Sequence, residues 1–159
     1  MQEKAQKDVQ AGMRYLSAFD YSKAMSSFKR AAKADPNNPD AYYGMAEAAQ
    51  GIPKIKTEDI LSWYDRAVSL RPDPQYLTSR GAFCLSVGLV KEAEESYTKA
   101  AELNPENRAY YLSEFAVEYF YHCQNREEAW GPEAKKKVIG YLLRSVGISP
   151  EEAVSILRG

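Results

Sequence analysis

The sequence predicts an all-α fold built from stacked helix pairs. Three observations carry that prediction. Apolar residues recur three and four positions apart in segments about a dozen residues long, the period and length of packed helices. Pro36, Pro39, Pro72, Pro74, Pro105, Pro132 and Pro150 fall between those segments, where a missing N–H does least harm to a helix. One spacing of small, large and small residues followed by proline also occurs more than once. Ala24, Phe28, Ala31 and Pro36 have counterparts 69 positions later in Ala93, Tyr97, Ala100 and Pro105, and 36 positions later in Ile60, Tyr64, Ala67 and Pro72.

The segments predict helices over 5–18, 22–34, 39–50, 57–70, 74–87, 91–103, 107–124, 132–146 and 150–158. In the first, Gly12 sits mid-helix, and Gly81 occupies the same register 69 positions on. A helical Gly costs about 1 kcal/mol relative to Ala, so its reuse implies that another helix approaches the backbone there. The turn into the second helix has Phe19 where the third pair has Gly88, so it must either avoid a left-handed residue or strain one. Ser22 and Thr57 are the expected N-caps of the second and fourth helices, with Glu58 and Asp59 at the positive end of the fourth. Ser149, Pro150 and Glu152 form a capping-box signature that starts the ninth.

Composition narrows the function. Of 159 residues, 45% are apolar and 27% charged, which suits a folded chain, and 21 Lys plus Arg against 22 Asp plus Glu give a net charge of −1. No general attraction to nucleic acid or an anionic membrane follows from that balance. The start, MQEKAQKDVQ, lacks the apolar core of a secretory signal, and no run approaches the length of a membrane helix, so a soluble cytoplasmic protein is expected. Cys84 and Cys123 do not make a disulfide framework or a paired-Cys metal site. The 12 Tyr are expected to pack their rings between helices with the hydroxyl at the edge.

Together, these spacings resemble the tetratricopeptide repeat. Residues 5–38 match through Ala11, Gly12, Tyr15, Tyr21, Ala24, Phe28, Ala31 and Pro36. Residues 74–107 match through Gly81, Cys84, Gly88, Ala93, Tyr97, Ala100, Leu103 and Pro105. Residues 39–73 form a degenerate middle unit, with Ala46 in the Gly position, Ala49 in the next aromatic position and the loop GIPKIK adding two residues. Residues 108–159 are expected to form a divergent fourth pair and a C-terminal cap. There Phe115 stands in the Gly position, and Ala134, Val138 and Tyr141 repeat the second-helix spacing. The resemblance implies one continuous domain, a right-handed α-solenoid whose first helices line a concave groove.

The family register assigns to that groove Val9, Met13, Tyr43, Glu47, Thr78, Ala82, Leu85, Leu112 and Tyr119. This mixture of apolar and polar groups suits a partner peptide or helix with apolar anchors. Relatives that clamp chaperone C-terminal carboxylates do so with Lys, Asn and Arg. The matching positions here are Val9, Met13, Gly44, Gln75 and Ser79, which supply no positive charge, so no chaperone-tail binding is expected.

Other features have plain readings. His122 and Cys123 are helix neighbours pointing about 100° apart, with no second Cys/His cluster nearby. Cys84 reads as a packed thiol. Glu127, Glu128 and Glu133 with Lys135–Lys137 read as a solvated face, and Lys54 and Lys56 as a weak contact loop. Trp130 is expected to plug the end of the stack or anchor a partner. With one His and no phosphate-cradling loop, no catalysis, cofactor or metal is expected. The expected function is a protein-interaction adaptor or scaffold. The alternatives are a self-associating homodimer, joined through the Tyr-rich or C-terminal surface that includes Ala153, Val154, Ile156 and Leu157, and a secretion-type chaperone, against which the short segment ahead of residue 5 counts.

Overall fold

The computed structural model describes residues 1–126 and 130–158; Glu127 and Glu128 lie outside the described residues. The described residues form nine α-helices: α1 Gln2–Ser17, α2 Tyr21–Ala34, α3 Pro39–Ala49, α4 Thr57–Leu70, α5 Pro74–Ser86, α6 Val90–Leu103, α7 Arg108–Gln124, α8 Pro132–Ser145 and α9 Pro150–Arg158. A single 3₁₀ turn, Pro105–Asn107, precedes α7. No strand occurs among the described residues, and none of their helices is long and apolar enough to cross a membrane. The chain gathers into two compact units, Met1–Tyr76 and Leu77–Gly159.

In the first unit the recurring spacing does the packing. Ala24, Phe28 and Ala31 are wholly buried on α2, as are Tyr64 and Ala67 on α4. α3 packs on both α1 and α2. The Phe28 ring lies between two glycine backbones: a Cβ added at Gly12 would stand 2.7 Å from it, and one at Gly44 closer still. The close approach expected at Gly12 is therefore present, and Gly44 supplies the opposite wall. In the second unit Tyr97 fills the same role against Gly81, where a Cβ would stand 2.6 Å from the ring. Tyr97 also meets Phe115 at 5.6 Å, and Tyr141 meets Phe115 edge-on at 4.8 Å. Ala134, Val138 and Tyr141 are buried on α8, as their spacing required.

The helix ends correct two expectations. Asp20, and not Ser22, caps α2, its carboxylate accepting from the Lys23 N–H at 3.2 Å; the helix opens at Tyr21, so Ser22 is already inside the first turn. Thr57 is likewise the first helical residue of α4, behind Lys56, and makes no cap bond. Asn38 caps α3 ahead of Pro39, accepting from the Ala41 N–H. The α9 capping box is complete: the Ser149 N–H donates to Glu152 at 2.8 Å and the Glu152 N–H to Ser149 Oγ at 3.1 Å. In the turns, Gly88 takes φ 84°, and Phe19 takes φ 58° in the place expected to need a left-handed residue.

Candidate functional site

Each unit presents a face of its first helices. In the first unit Val9 and Tyr43 are buried, while Met13 and Glu47 are half-buried and Gln6, Gln10 and Gln50 are exposed. Tyr43 stacks on Tyr76 with centroids 4.7 Å apart and tilts against Tyr64 at 6.2 Å. Asp40 holds this stack in place. It accepts from the Tyr76 hydroxyl and, at 2.7 Å, from the Arg71 guanidinium, which also covers the Tyr76 ring. Behind the face, the Tyr64 hydroxyl donates to Glu47 and accepts from Gln50 Nε2 at 2.7 Å. Burial raises the Glu47 carboxyl above its ordinary range, and the Tyr64 hydrogen bond only partly offsets it. The same burial and the nearby carboxylate push the Tyr64 phenol well up.

In the second unit Thr78 is half-buried, Ala82 exposed and Leu85 buried. A shallow cleft of about 320 Å³ brings Ala82 and Leu85 of α5 beside Glu118, Tyr121 and His122 of α7. Glu114 stands one turn from Glu118, and burial together with that neighbouring charge raises its carboxyl. Its Oε2 is shut from solvent with no hydrogen-bond partner among the described residues. Burial and Arg126 lower the His122 imidazole, which therefore stays neutral more readily.

Leu112 and Tyr119 occupy the packed side of α7. Leu112 is buried beside Ala101 and Tyr141. Tyr119 stacks on Phe115 at 5.6 Å and lies under the Lys137 ammonium, with its phenol pushed up to about 12 by burial, Cys123 and Glu94. Here Glu94 accepts from Lys137 at 2.5 Å and from the Tyr141 hydroxyl at 2.6 Å. Burial opposes Glu94 ionisation, but these bonds and the Lys137 and Arg144 charges outweigh it and hold the carboxyl below its usual range. The register of α7 explains the placement. Ala116, wholly buried, stands where Gly81 stands on α5, in the position expected for Phe115. The matching pieces are Tyr76-Leu77-Thr78 and Tyr111-Leu112-Ser113, 35 positions apart, one more than the 34-residue repeat assumed from the family pattern. That pair carries Thr78, Ala82 and Leu85 of α5 onto Ser113, Val117 and Phe120 of α7, while no repeat spacing points to Glu118 or Tyr121.

Of the remaining features, Cys84 and Cys123 are buried thiols outside any disulfide, and among the described residues no three His, Cys, Asp or Glu gather as metal ligands. Trp130 rests edge-on against Phe120 at 5.1 Å, with the Lys135 ammonium over its ring.

The tetratricopeptide-repeat family matches the chain over residues 15–51 and again over 74–107. The chain is similar to the TPR repeat-containing protein YpiA of Bacillus subtilis (strain 168), with 29% identity over 107 residues, or 66% of this chain and 25% of that protein. It is also similar to DnaJ homolog subfamily C member 3 of Gallus gallus, with 30% identity over 104 residues, or 64% of this chain and 20% of that protein. The chain thus spans a quarter or less of the length of these curated relatives. In fold it is similar to the crystal structure of MamA, with a TM-score of 0.71, 17% identity, and 98% of this chain and 81% of that chain covered.

Proposed function

Because the chain belongs to the tetratricopeptide-repeat family, we propose that it is a non-catalytic protein-interaction module, an adaptor or assembly scaffold, that holds a partner peptide or helix on its first-helix faces. One observation carries this reading. The second helices spend their recurring residues on packing, while the first helices leave Met13, Gln50, Ala82, Glu118 and Tyr121 wholly or partly open in a mixture of apolar and polar groups. Such surfaces suit a segment with apolar anchors and a few hydrogen-bonding groups. Buried thiols held outside any disulfide support a cytoplasmic location.

The test is retention of proteins on the immobilised full chain, identified by mass spectrometry. A triple variant, Met13→Glu, Ala82→Glu and Tyr121→Ala, serves as the control. The variant should keep its helical circular dichroism and lose the retained partner; unchanged retention would move the site off these faces. A peptide ending in paired carboxylates should give no heat in calorimetry, because Val9, Met13, Gly44, Gln75 and Ser79 offer it no cation.

A further inference from the structure

The cleft between α5 and α7 carries a charge of opposite sign at each end. Glu118 on α7 and Arg126 just past its last turn both line it, about 12 Å apart along the helix axis. Both are exposed, and among the described residues neither closes an ion pair. The Arg126 guanidinium lies over the turn at Gly88, where an added Cβ would stand 3.4 Å from its Nη1. Between the ends, Tyr121 and Asn125 face Ala82 and Leu85 across the cleft. Ala82 is small and exposed, so the middle of the cleft is open and apolar. His122 also lines it, and burial together with Arg126 favours its neutral form. From one end to the other the cleft reads negative, apolar, positive.

The negative end is short of a donor. Glu114 lies one turn before Glu118, its Oε2 is shut from solvent with no hydrogen-bond partner among the described residues, and the Glu118 charge adds to burial in raising its carboxyl. A cation seated beside Glu118 relieves that repulsion, whereas an anion there deepens it. The dimensions choose the shape of the occupant. Over about 12 Å, a volume of 320 Å³ leaves a channel about 5 Å across, the spacing of neighbouring strands and half the diameter of a helix. In an extended chain residues i, i+2 and i+4 face the same way, and i to i+4 spans about 13 Å.

Building on the reading of the first-helix faces as a partner site, we propose that the α5–α7 cleft holds an extended segment of a partner protein bearing a cationic and an anionic side chain four positions apart, with an apolar side chain midway between them. The cation pairs with Glu118 and the anion with Arg126, while the central side chain lies on Ala82 and Leu85. The Tyr121 hydroxyl and the Asn125 amide are placed to donate to the segment's backbone carbonyls. A segment with the same charge at both positions meets repulsion at one end, so the cleft selects against uniformly acidic and uniformly basic partners.

The test is fluorescence anisotropy of the full chain with a labelled, end-capped peptide containing Lys-Thr-Leu-Thr-Glu, and with its reverse, because an extended chain can lie in either direction. At low ionic strength one of the two orders should bind about tenfold tighter than a version with Ala at both charged positions. Added salt should weaken that binding. Glu118→Lys should lose this peptide and gain one with Glu at both charged positions; Arg126→Glu should lose it and gain one with Lys at both. Both residues are exposed, so the variants should keep their helical circular dichroism, and a gained peptide is not a product of misfolding. Equal binding of the charged and Ala peptides in both orders, or variants that do not switch preference, would overturn the proposal. In the retention experiment, a partner lost by the triple variant but kept by Glu118→Lys and Arg126→Glu would overturn this charge pattern and leave the partner face standing. A partner kept by all of them would remove the face as well.

Discussion

Phe19 holds a left-handed backbone while its ring is 76% exposed. An L-residue in that region costs about 1–2 kcal/mol, and here little packing offsets it beyond an edge contact with Tyr21 at 6.4 Å. Phe19→Gly should therefore raise Tm by about 2–4 °C in a thermal melt, and a fall would mean that the ring stabilises the turn. Glu47 gives a second test at this scale. Because burial raises its carboxyl, the folded chain takes up a proton at higher pH than the unfolded chain does. Stability from this group is thus full below the ordinary carboxylate range and is lost as pH rises through the raised folded value. Glu47→Gln keeps an acceptor for Tyr64 and removes the buried charge. The variant should melt higher than wild type at pH 7, with the difference shrinking as pH falls to the ordinary carboxylate range; a gap that widened instead would refute the sign.

The helices differ in how much room they leave at their glycines. Gly44 on α3 faces a Phe28 ring with no exposed surface, so Gly44→Ala forces a clash that neither side relieves and should cost about 1–3 kcal/mol. Gly140 on α8 has nothing nearer to an added Cβ than the far end of Arg144, at 3.8 Å. Gly140→Ala should instead stabilise, by up to about 1 kcal/mol, through helix propensity. Paired denaturant titrations give the two signs; the same sign for both would show that these helices do not pack as described. The caps also show how element ends are decided. Asp20 displaces Ser22 because the tight turn at Phe19 lets α2 begin one residue earlier, whereas the reciprocal Ser149–Glu152 bonds follow directly from their spacing.

Across the whole chain, legibility followed packing. Ala24, Phe28, Ala31, Ala93, Tyr97 and Ala100 each fill a fixed gap, so their spacing had to repeat and could be read. The faces left for partners carry no such constraint. On α7 the neighbours Tyr110 and Tyr111 admit two alignments one residue apart, and the turn Pro105–Asn107 carries the chain into the longer of them. A shift of one residue rotates a helix by about 100°, so that Ser113 and Phe120 take the places on α7 that the shorter spacing gave to Leu112 and Tyr119. The seating of Phe28 between Gly12 and Gly44 has a consequence for motion. An aromatic ring with a backbone against each flat side cannot turn over in place. It can rotate only when α1 and α3 draw apart, so the rate at which its two edges exchange is a clock for the breathing of the first unit.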